Sequence, residues 1–251
     1  MAVVTGGSRG IGRAIALELA RQGAIVVVNH LSAPAEAEDV IREIQKNGGR
    51  AVAFHADVSN RADVVTMIGA AVQNFGGIDI LVNNAGIDTT GSILDITDVD
   101  WERVFAVNVR GCFFCTQAAA RAMVENRRGG RIINISSINA RLGWRARAAY
   151  SATKGAVEAF TRCCACDVGP YGITVNAIAP GPIRTEMWGD TLTPEVEAAH
   201  AQRLPLGYIG EPDDVAGITA FLASSAARFI TGEVILVDGG RGRCDYLPVG
   251  S

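Results

Sequence analysis

Tyr150 and Lys154 are the residues whose types and spacing point most directly to chemistry. They stand four positions apart in a predicted helix, so their side chains share one face. Free tyrosine has a pKa of about 10 and is a poor base at neutral pH, but a neighbouring ammonium stabilises the phenolate and lowers that pKa. The pair is therefore predicted to exchange a proton with a hydroxyl or carbonyl group. The alternative is an ordinary exposed pair on a helix.

Ser137 and Asn108 are two further polar residues in informative places. Ser137 follows the predicted strand 131–135, and ligands of α/β sheets bind at the carboxyl ends of strands. Its hydroxyl can bind a substrate oxygen, although Ser136 is a competing candidate and a turn cap is the alternative role. Asn108 falls inside the predicted helix 100–125, where asparagine is locally unfavourable and a tertiary role is indicated.

Gly6, Gly10 and Gly12 form a G-x-x-x-G-x-G pattern between a predicted strand, 2–4, and a predicted helix, 11–22. Glycine allows a sharp turn and lets backbone N–H groups approach a pyrophosphate. The following helix directs its positive end at the same anion. This context predicts a dinucleotide-binding loop.

Short apolar runs alternate with amphipathic stretches along the whole chain. The predicted strands are 2–4, 24–29, 51–55, 78–82, 131–135, 174–178 and 234–237. The predicted helices are 11–22, 35–47, 62–75, 100–125, 149–168 and 212–224. This alternation predicts a single α/β domain, 1–251, with a doubly wound, Rossmann-type parallel sheet of about seven strands and helices on both faces. The irregular stretch at about 182–206 is expected to be a substrate lid.

Five motifs occur in one order along the chain: Thr5-Gly6-x-x-x-Gly10-x-Gly12, Asn83-Asn84-Ala85-Gly86, Asn108, Ser137 and Tyr150-x-x-x-Lys154. In this order, from Ala2 to about Gly240, the sequence resembles the short-chain dehydrogenase/reductase family. The 13-residue step from Ser137 to Tyr150 is the one family members usually show.

The resemblance implies an NAD(P)-dependent oxidoreductase that moves hydride between a nicotinamide and a secondary alcohol, a ketone or a sugar (aldose). It implies that Tyr150 is the acid/base, that Ser137 binds the substrate oxygen, and that Lys154 contacts the nicotinamide ribose. The Lys154 ammonium and the cationic ring of an oxidised nicotinamide would together lower the pKa of Tyr150. Asn108 would hold a water that relays protons. The alternatives are a 3-oxoacyl-thioester (acyl carrier protein or CoA) reductase and a non-catalytic dinucleotide-binding sensor, against which the intact catalytic set argues.

The resemblance also implies where a cofactor is held. The expected contacts are Gly6, Ser8, Arg9, Gly10, Ile11, Gly12, His30, Asp57, Val58, Asn84, Ala85, Gly86, Tyr150, Lys154, Pro180, Gly181, Ile183 and Thr185.

The end of the second predicted strand bears on the choice between NAD and NADP. A carboxylate there would bind the adenine ribose and favour NAD, but the chain has Asn29-His30-Leu31-Ser32. Arg9 in the glycine loop can pair with a 2′-phosphate, which favours NADP. The sequence therefore leans to NADP with dual use expected, while His30 as a solvated loop residue is the alternative.

The substrate is less specified. Arg141, Arg145 and Arg147 crowd the loop before Tyr150, where they would attract an anionic substrate, solvate a loop or bridge subunits. Trp144 and Trp188 are candidate pocket walls. The segment 29–31 resembles that of some sugar dehydrogenases of the family. Tyr171 stands where thioester reductases often carry a basic residue, which argues against that alternative.

The composition excludes several classes of protein. With 49% hydrophobic and 20% charged residues the chain is not disordered. Its net charge of -3, from 23 Lys+Arg and 26 Asp+Glu, argues against nucleic acid as a partner. No stretch has the roughly 20 apolar residues of a membrane span, and the first residues lack a signal-peptide pattern. We therefore expect a cytoplasmic protein with no membrane partner.

The six cysteines are expected to be reduced thiols. Cys112-x-x-Cys115 fits a zinc or redox pattern, but its apolar helical surroundings favour simple packing, so no metal is expected. The helices 100–125 and 149–168 carry small or apolar residues over more than one face. This predicts a homo-oligomer, a dimer or tetramer as the resemblance also implies, with some of the helix cysteines buried at the interface.

Overall fold

The structure, a computed structural model, describes residues 1–244. A single seven-stranded sheet crosses the domain in the order β3-β2-β1-β4-β5-β6-β7, and every neighbouring pair is parallel. The strands are β1 (Ala2–Val4), β2 (Ile25–His30), β3 (Arg50–His55), β4 (Ile80–Asn83), β5 (Gly130–Ile135), β6 (Ile173–Pro180) and β7 (Val234–Val237). The predicted doubly wound Rossmann-type sheet is confirmed. The end of the chain, 245–251, which the predicted domain includes, lies outside the described residues.

Helices connect successive strands on the two faces of the sheet. They are α1 (Gly10–Arg21), α2 (Pro34–Lys46), α3 (Arg61–Phe75), α4 (Asp98–Phe105), α5 (Cys112–Asn126), α6 (Ala148–Val168), α7 (Pro194–Ala201) and α8 (Pro212–Ala223). Parallel strands need such crossovers, and the sheet's residues alternate between two apolar layers. Val4 packs with one layer and Val3 with the other. Among the described residues, no helix is long and apolar enough to cross a bilayer.

The predicted helix 100–125 is wrong in one respect. Between α4 and α5 the chain forms a π-helical segment, Ala106–Gly111, which contains Asn108. Such segments are rare and occur often at functional sites. The distortion turns Asn108 inward, where the residue is 3% exposed.

The expected lid region is partly helical. It contains a 3₁₀ segment, Glu186–Thr191, and helix α7. Two cysteines of α5, Cys112 and Cys115, are buried, and burial raises the pKa of the Cys112 thiol to about 12. Cys163 and Cys166 on α6 are exposed on this single chain.

Candidate active site

The glycine loop turns at the end of β1, and two of its residues require glycine. Gly6 and Gly10 have φ of +59° and +52°, a region that L side chains rarely adopt. Gly12 is needed for a different reason. A Cβ on Gly12 would overlap the backbone oxygen of Gly6 and the amide of Asn84, so α1 approaches the loop more closely than any side chain permits.

Neutral hydrogen bonds hold this loop in place. The Thr5 hydroxyl oxygen accepts from the backbone N–H groups of Asn84 and Ala85, both at 3.0 Å. The Asn84 amide donates to the backbone oxygens of Thr5 and Gly6 at 3.0 and 2.9 Å. The sequence predicts Asn84 and Ala85 as cofactor contacts, whereas it assigns no role to Thr5 beyond its place in the glycine motif.

Asn29 is a second residue whose role the sequence did not reveal. Its Oδ1 accepts from the backbone N–H of Gly6 at 3.1 Å, and its Nδ2 donates to the backbone oxygen of Ala56 at 3.0 Å. The residue is 2% exposed. Asn29 therefore ties the glycine loop to the end of β3, and its position as the penultimate residue of an apolar strand was the available signal.

His30 is not a solvated loop residue. It is the last residue of β2, is buried, and lies opposite His55 of β3 with ring centroids 5.6 Å apart. Burial lowers the pKa of His30, the neighbouring His55 lowers it further, and Glu38 and Glu36 oppose the shift. His30 is therefore a neutral imidazole at pH 7.

Several other expected cofactor positions line the same edge of the sheet. Val58 and Ile183 are buried, Ser8 is buried inside the glycine loop, and Arg9 is exposed on it. A Cβ on Gly10 would lie 3.4 Å from the Thr185 methyl group. The start of the segment after β6 thus lies against the glycine loop.

The remaining residues expected to contact a cofactor also have defined places in the fold. The Asp57 carboxylate accepts from the backbone N–H and the hydroxyl of Ser59, at 2.8 and 2.7 Å. Gly181 follows Pro180, the last residue of β6, and a Cβ there would lie 2.7 Å from the Cα of Asp238. Ile11 lies in the first turn of α1.

Tyr150 and Lys154 lie one turn apart on α6, as predicted. The Lys154 ammonium nitrogen is 5.5 Å from the centre of the Tyr150 ring and donates to the backbone oxygen of Ile135 at 2.9 Å. Lys154 is 5% exposed. Burial lowers its pKa to about 8, although Cys112 and Asp88 act to raise it.

The pKa of Tyr150 in the protein alone lies above its usual value. Burial around the hydroxyl raises it to about 12, although the residue as a whole is partly exposed. A hydrogen bond from Ser137 and the charge of Arg147 lower it, and Asp88 raises it. Desolvation outweighs the neighbouring cations because the phenolate loses water that they only partly replace. The protein alone therefore keeps Tyr150 protonated.

Asn108 and Lys154 meet beside Gly86. The Asn108 Oδ1 accepts from the backbone N–H of Ile87 at 2.8 Å, and its Nδ2 donates to the Ile87 oxygen at 2.9 Å and to Thr153 Oγ1 at 3.1 Å. A Cβ on Gly86 would lie 3.4 Å from Asn108 Oδ1 and 3.5 Å from Lys154 Nζ. The π-helical segment thus places Asn108 and Lys154 on the same side of Gly86.

The two serines after β5 have separate environments. Ser136 is 2% exposed, and its hydroxyl donates to the backbone oxygen of Lys154 at 3.2 Å. Ser137 is less buried, bonds to Tyr150, and accepts from the backbone N–H of Asn139 at 3.2 Å. Ser137 therefore caps a turn and faces Tyr150 as well.

Two of the three loop arginines are bound to carboxylates that the sequence did not single out. Arg141 Nε donates to Glu158 Oε2 at 3.2 Å, and Arg147 forms an ion pair with Asp88. Arg145 is exposed. The idea of a three-arginine trap for an anionic substrate is therefore weakened.

The two candidate pocket tryptophans come together on one histidine. Trp144 stacks on His200 with ring centroids 5.4 Å apart, and Trp188 meets His200 edge-on at 5.0 Å. The Trp188 indole also donates to the backbone oxygen of Ile183 at 2.7 Å. The loop before Tyr150 thus touches the segment after β6 through an aromatic cluster.

The residues fit a dinucleotide. Glycines at 6, 10 and 12 leave no side chain between the turn after β1 and the start of α1, and that helix presents its N-terminus there. An anionic pyrophosphate is the group that such a cradle holds. A nicotinamide cofactor held there would supply the hydride acceptor or donor.

Comparison with known proteins agrees with this geometry. A family model described as enoyl-(acyl carrier protein) reductase matches residues 6–241. L-rhamnose 1-dehydrogenase (NAD(P)(+)) of Azotobacter vinelandii is 45% identical over 95% of this chain and 94% of its own. Versicolorin reductase of Emericella nidulans is 45% identical over 96% of this chain and 94% of its own.

Solved structures agree as well. A gluconate 5-dehydrogenase from Burkholderia cenocepacia, in complex with NADP and tartrate, superposes with a TM-score of 0.91 at 36% identity, covering 97% of this chain and 95% of that one. The chain belongs to the short-chain dehydrogenase/reductase family. It is an NAD(P)-dependent oxidoreductase of the type that acts on CH–OH groups.

Proposed function

We propose that this enzyme interconverts a secondary alcohol, or a sugar hemiacetal, with its carbonyl, and that Tyr150 is the acid/base. The observation that carries the proposal is the convergence of Ser137, Lys154 and Asn108 on the surroundings of Tyr150 and Gly86. No residue of that set is missing, which argues against a non-catalytic sensor.

In the reducing direction Ser137 binds the substrate carbonyl oxygen and Tyr150 gives it a proton. Because burial holds the pKa of Tyr150 at about 12, the phenol is a ready donor but a poor acceptor in the protein alone. Oxidation requires positive charge beyond that of the protein alone, which a bound oxidised nicotinamide would provide beside the Lys154 ammonium. The Lys154 ammonium then returns a proton to the Tyr150 phenolate and takes its own replacement proton from the side of Asn108.

The cofactor is NADP in preference to NAD, with dual use. Two observations support this choice. Positions 29 and 30 hold Asn29 and His30 and no acidic residue, and Arg9 is exposed on the glycine loop. His30 contributes as a neutral hydrogen-bonding group and not as a cation. His30→Asp should raise the NAD preference about tenfold, because a carboxylate repels a 2′-phosphate and binds a ribose hydroxyl. An unchanged ratio of Kd values for NADPH and NADH would show that His30 lies away from that ribose.

The segment 182–206 is proposed to be the substrate lid, and the chain to form a dimer or tetramer. For the lid, support comes from the contact of Thr185 with Gly10 and of His200 with Trp144. For the oligomer, support comes from Phe113 on α5, which is 36% exposed beside Phe160 of α6. Sedimentation at micromolar concentration tests the oligomer, and a stable monomer contradicts it.

One experiment tests the catalytic proposal. Secondary alcohols, aldoses and 3-oxoacyl thioesters are assayed with both cofactors, and Tyr150→Phe is compared on the best substrate. We expect at least about a hundredfold loss of kcat in the variant, the usual scale of acid–base catalysis, with the cofactor Kd unchanged. Near wild-type turnover by Tyr150→Phe would remove Tyr150 from the mechanism. A best rate on thioesters would favour the thioester reductase alternative.

A further inference from the structure

Glu158 is a buried carboxylate that the proposed reaction does not use. The residue is 6% exposed. Tyr150, Lys154 and Glu158 follow one another at four-residue intervals along α6, so they form one row on the helix. Carboxylates are rarely buried unless they are paired, because the loss of hydration is costly.

The partners of Glu158 come from two places beside the site. Arg141, in the loop between Ser137 and Tyr150, donates its Nε to Oε2 at 3.2 Å. The hydroxyl of Ser136, at the end of β5, lies 3.4 Å from Oε1 and 3.2 Å from the backbone oxygen of Lys154. One carboxylate thus joins the strand end before Ser137, the loop after it and the helix that carries Tyr150.

We propose that Glu158 is a positioning residue: with Arg141 it fixes the loop that begins at Ser137 against α6, and so sets the distance between the Ser137 and Tyr150 hydroxyls. This inference rests on the proposed function, in which those two hydroxyls share the substrate oxygen. A misplacement of catalytic groups by about 1 Å can cost a hundredfold in rate. The same contact engages Arg141 Nε with a carboxylate of the protein, which weakens its case as a substrate-binding cation.

The test uses Glu158→Gln, Arg141→Gln and the double variant in the full-length enzyme. We expect kcat to fall about tenfold or more in each single variant, with cofactor Kd changed less than about twofold. Because both variants break one contact, the double variant should lose no more than the worse single one. Arg141→Lys keeps the charge and should recover part of the loss.

Two features guard against a purely structural effect. Rates are expressed per cofactor-binding site, so unfolded enzyme does not count, and the double variant leaves no buried unpaired charge if a single one folds poorly. Glu43→Gln is the matched control, because Glu43 pairs with Arg13 between α1 and α2 on the surface. It should leave kcat unchanged.

The outcomes separate this inference from the proposed function. If folded Glu158→Gln keeps kcat within about twofold of the parent, or if the two single losses multiply in the double variant, Glu158 is not a positioning residue. If Tyr150→Phe is inactive in the same assay while Glu158→Gln is fully active, only the present inference fails. If Tyr150→Phe remains active, the proposed function fails first.

Discussion

The glycine loop and the loop between Ser137 and Tyr150 both follow carboxyl ends of parallel strands, but different contacts hold them. Neutral amides and a hydroxyl, from Asn29, Asn84 and Thr5, fix the glycine loop to backbone atoms. The second loop is held by ion pairs and stacked rings to α6, to Asp88 and to the segment after β6.

The difference fits what each loop must bind. The cofactor side presents its own backbone to an anion, and the amides and the hydroxyl that hold the glycine loop carry no charge that would compete with that anion. The substrate side combines charged and aromatic contacts of one loop with α6, with Asp88 and with the segment after β6, and none of these contacts includes a strand. We expect substitutions on the cofactor side to lower the stability of the fold more than substitutions on the substrate side.

Gly12→Ala should have the largest effect. Its methyl group would overlap the backbone oxygen of Gly6, and backbone cannot move aside as a flexible side chain can. We expect a loss of stability of about 3 kcal/mol, the upper end for overpacking, and no measurable cofactor binding. Denaturant unfolding and fluorescence titration measure the two effects.

Gly217→Ala in the middle of α8 is the matched control, because a Cβ there meets nothing within 4 Å. It should raise stability by about 0.5–1 kcal/mol through helix propensity. Equal behaviour of the two variants would show that α1 does not need its close approach to the loop.

Lys154→Met should change how stability depends on pH. Burial lowers the pKa of Lys154 from 10.5 to about 8, so the unfolded chain binds more protons than the folded one between these pH values. Burying the charged Lys154 therefore lowers the free energy of unfolding by its full amount below pH 8, and this destabilisation disappears as pH rises to 10.5. Relative to Lys154→Met, the free energy of unfolding of the parent should rise by on the order of 3 kcal/mol between pH 7 and 10.5.

Urea unfolding of both proteins across that pH range measures the difference. Lys46→Met, at an exposed position at the end of α2, is the comparison variant. A stability difference between the parent and Lys154→Met that does not change with pH would mean that Lys154 is hydrated in the folded enzyme.

Asn29→Ala should lower stability and cofactor binding by an intermediate amount. It leaves the backbone N–H of Gly6 and the backbone oxygen of Ala56 without their partner. An unsatisfied buried group costs about 1–3 kcal/mol, and we expect that loss in stability together with weaker cofactor binding. Asn60→Ala, which removes the cap of α3 away from the glycine loop, should lower stability but leave cofactor Kd unchanged.

The comparison also separates what the sequence reveals from what it does not. The predicted bounds of all seven strands agree with the observed bounds to within two residues, because short apolar runs between helices are typical of buried parallel strands. Tyr150 and Lys154 were found because a local four-residue spacing brings them together. The placement of the glycine loop followed from a local pattern as well.

The remaining features depend on contacts between distant positions. Arg147 and Asp88 are 59 residues apart, and nothing local to either predicts the pair. The π-helical turn at Asn108 and the bonds of its side chain to Ile87 are features that helix periodicity does not show. The raised pKa of Tyr150 in the protein alone could not be predicted, because charged neighbours are visible in a sequence and desolvation is not.

Arg184→Gln should have the smallest effect on stability and sharpens the comparison on the substrate side. The Arg184 guanidinium bonds to Glu197 of α7 at 2.9 Å and to Glu211, just before α8, at 2.9 Å, and it is exposed. Exposed pairs contribute about 0–1 kcal/mol, so thermal unfolding should change little. If 182–206 is the lid, releasing α7 should raise substrate KM while cofactor Kd stays constant. A loss of stability as large as that of Asn29→Ala would instead make α7 part of the rigid fold, and the proposed division between the two sides of the site would not hold.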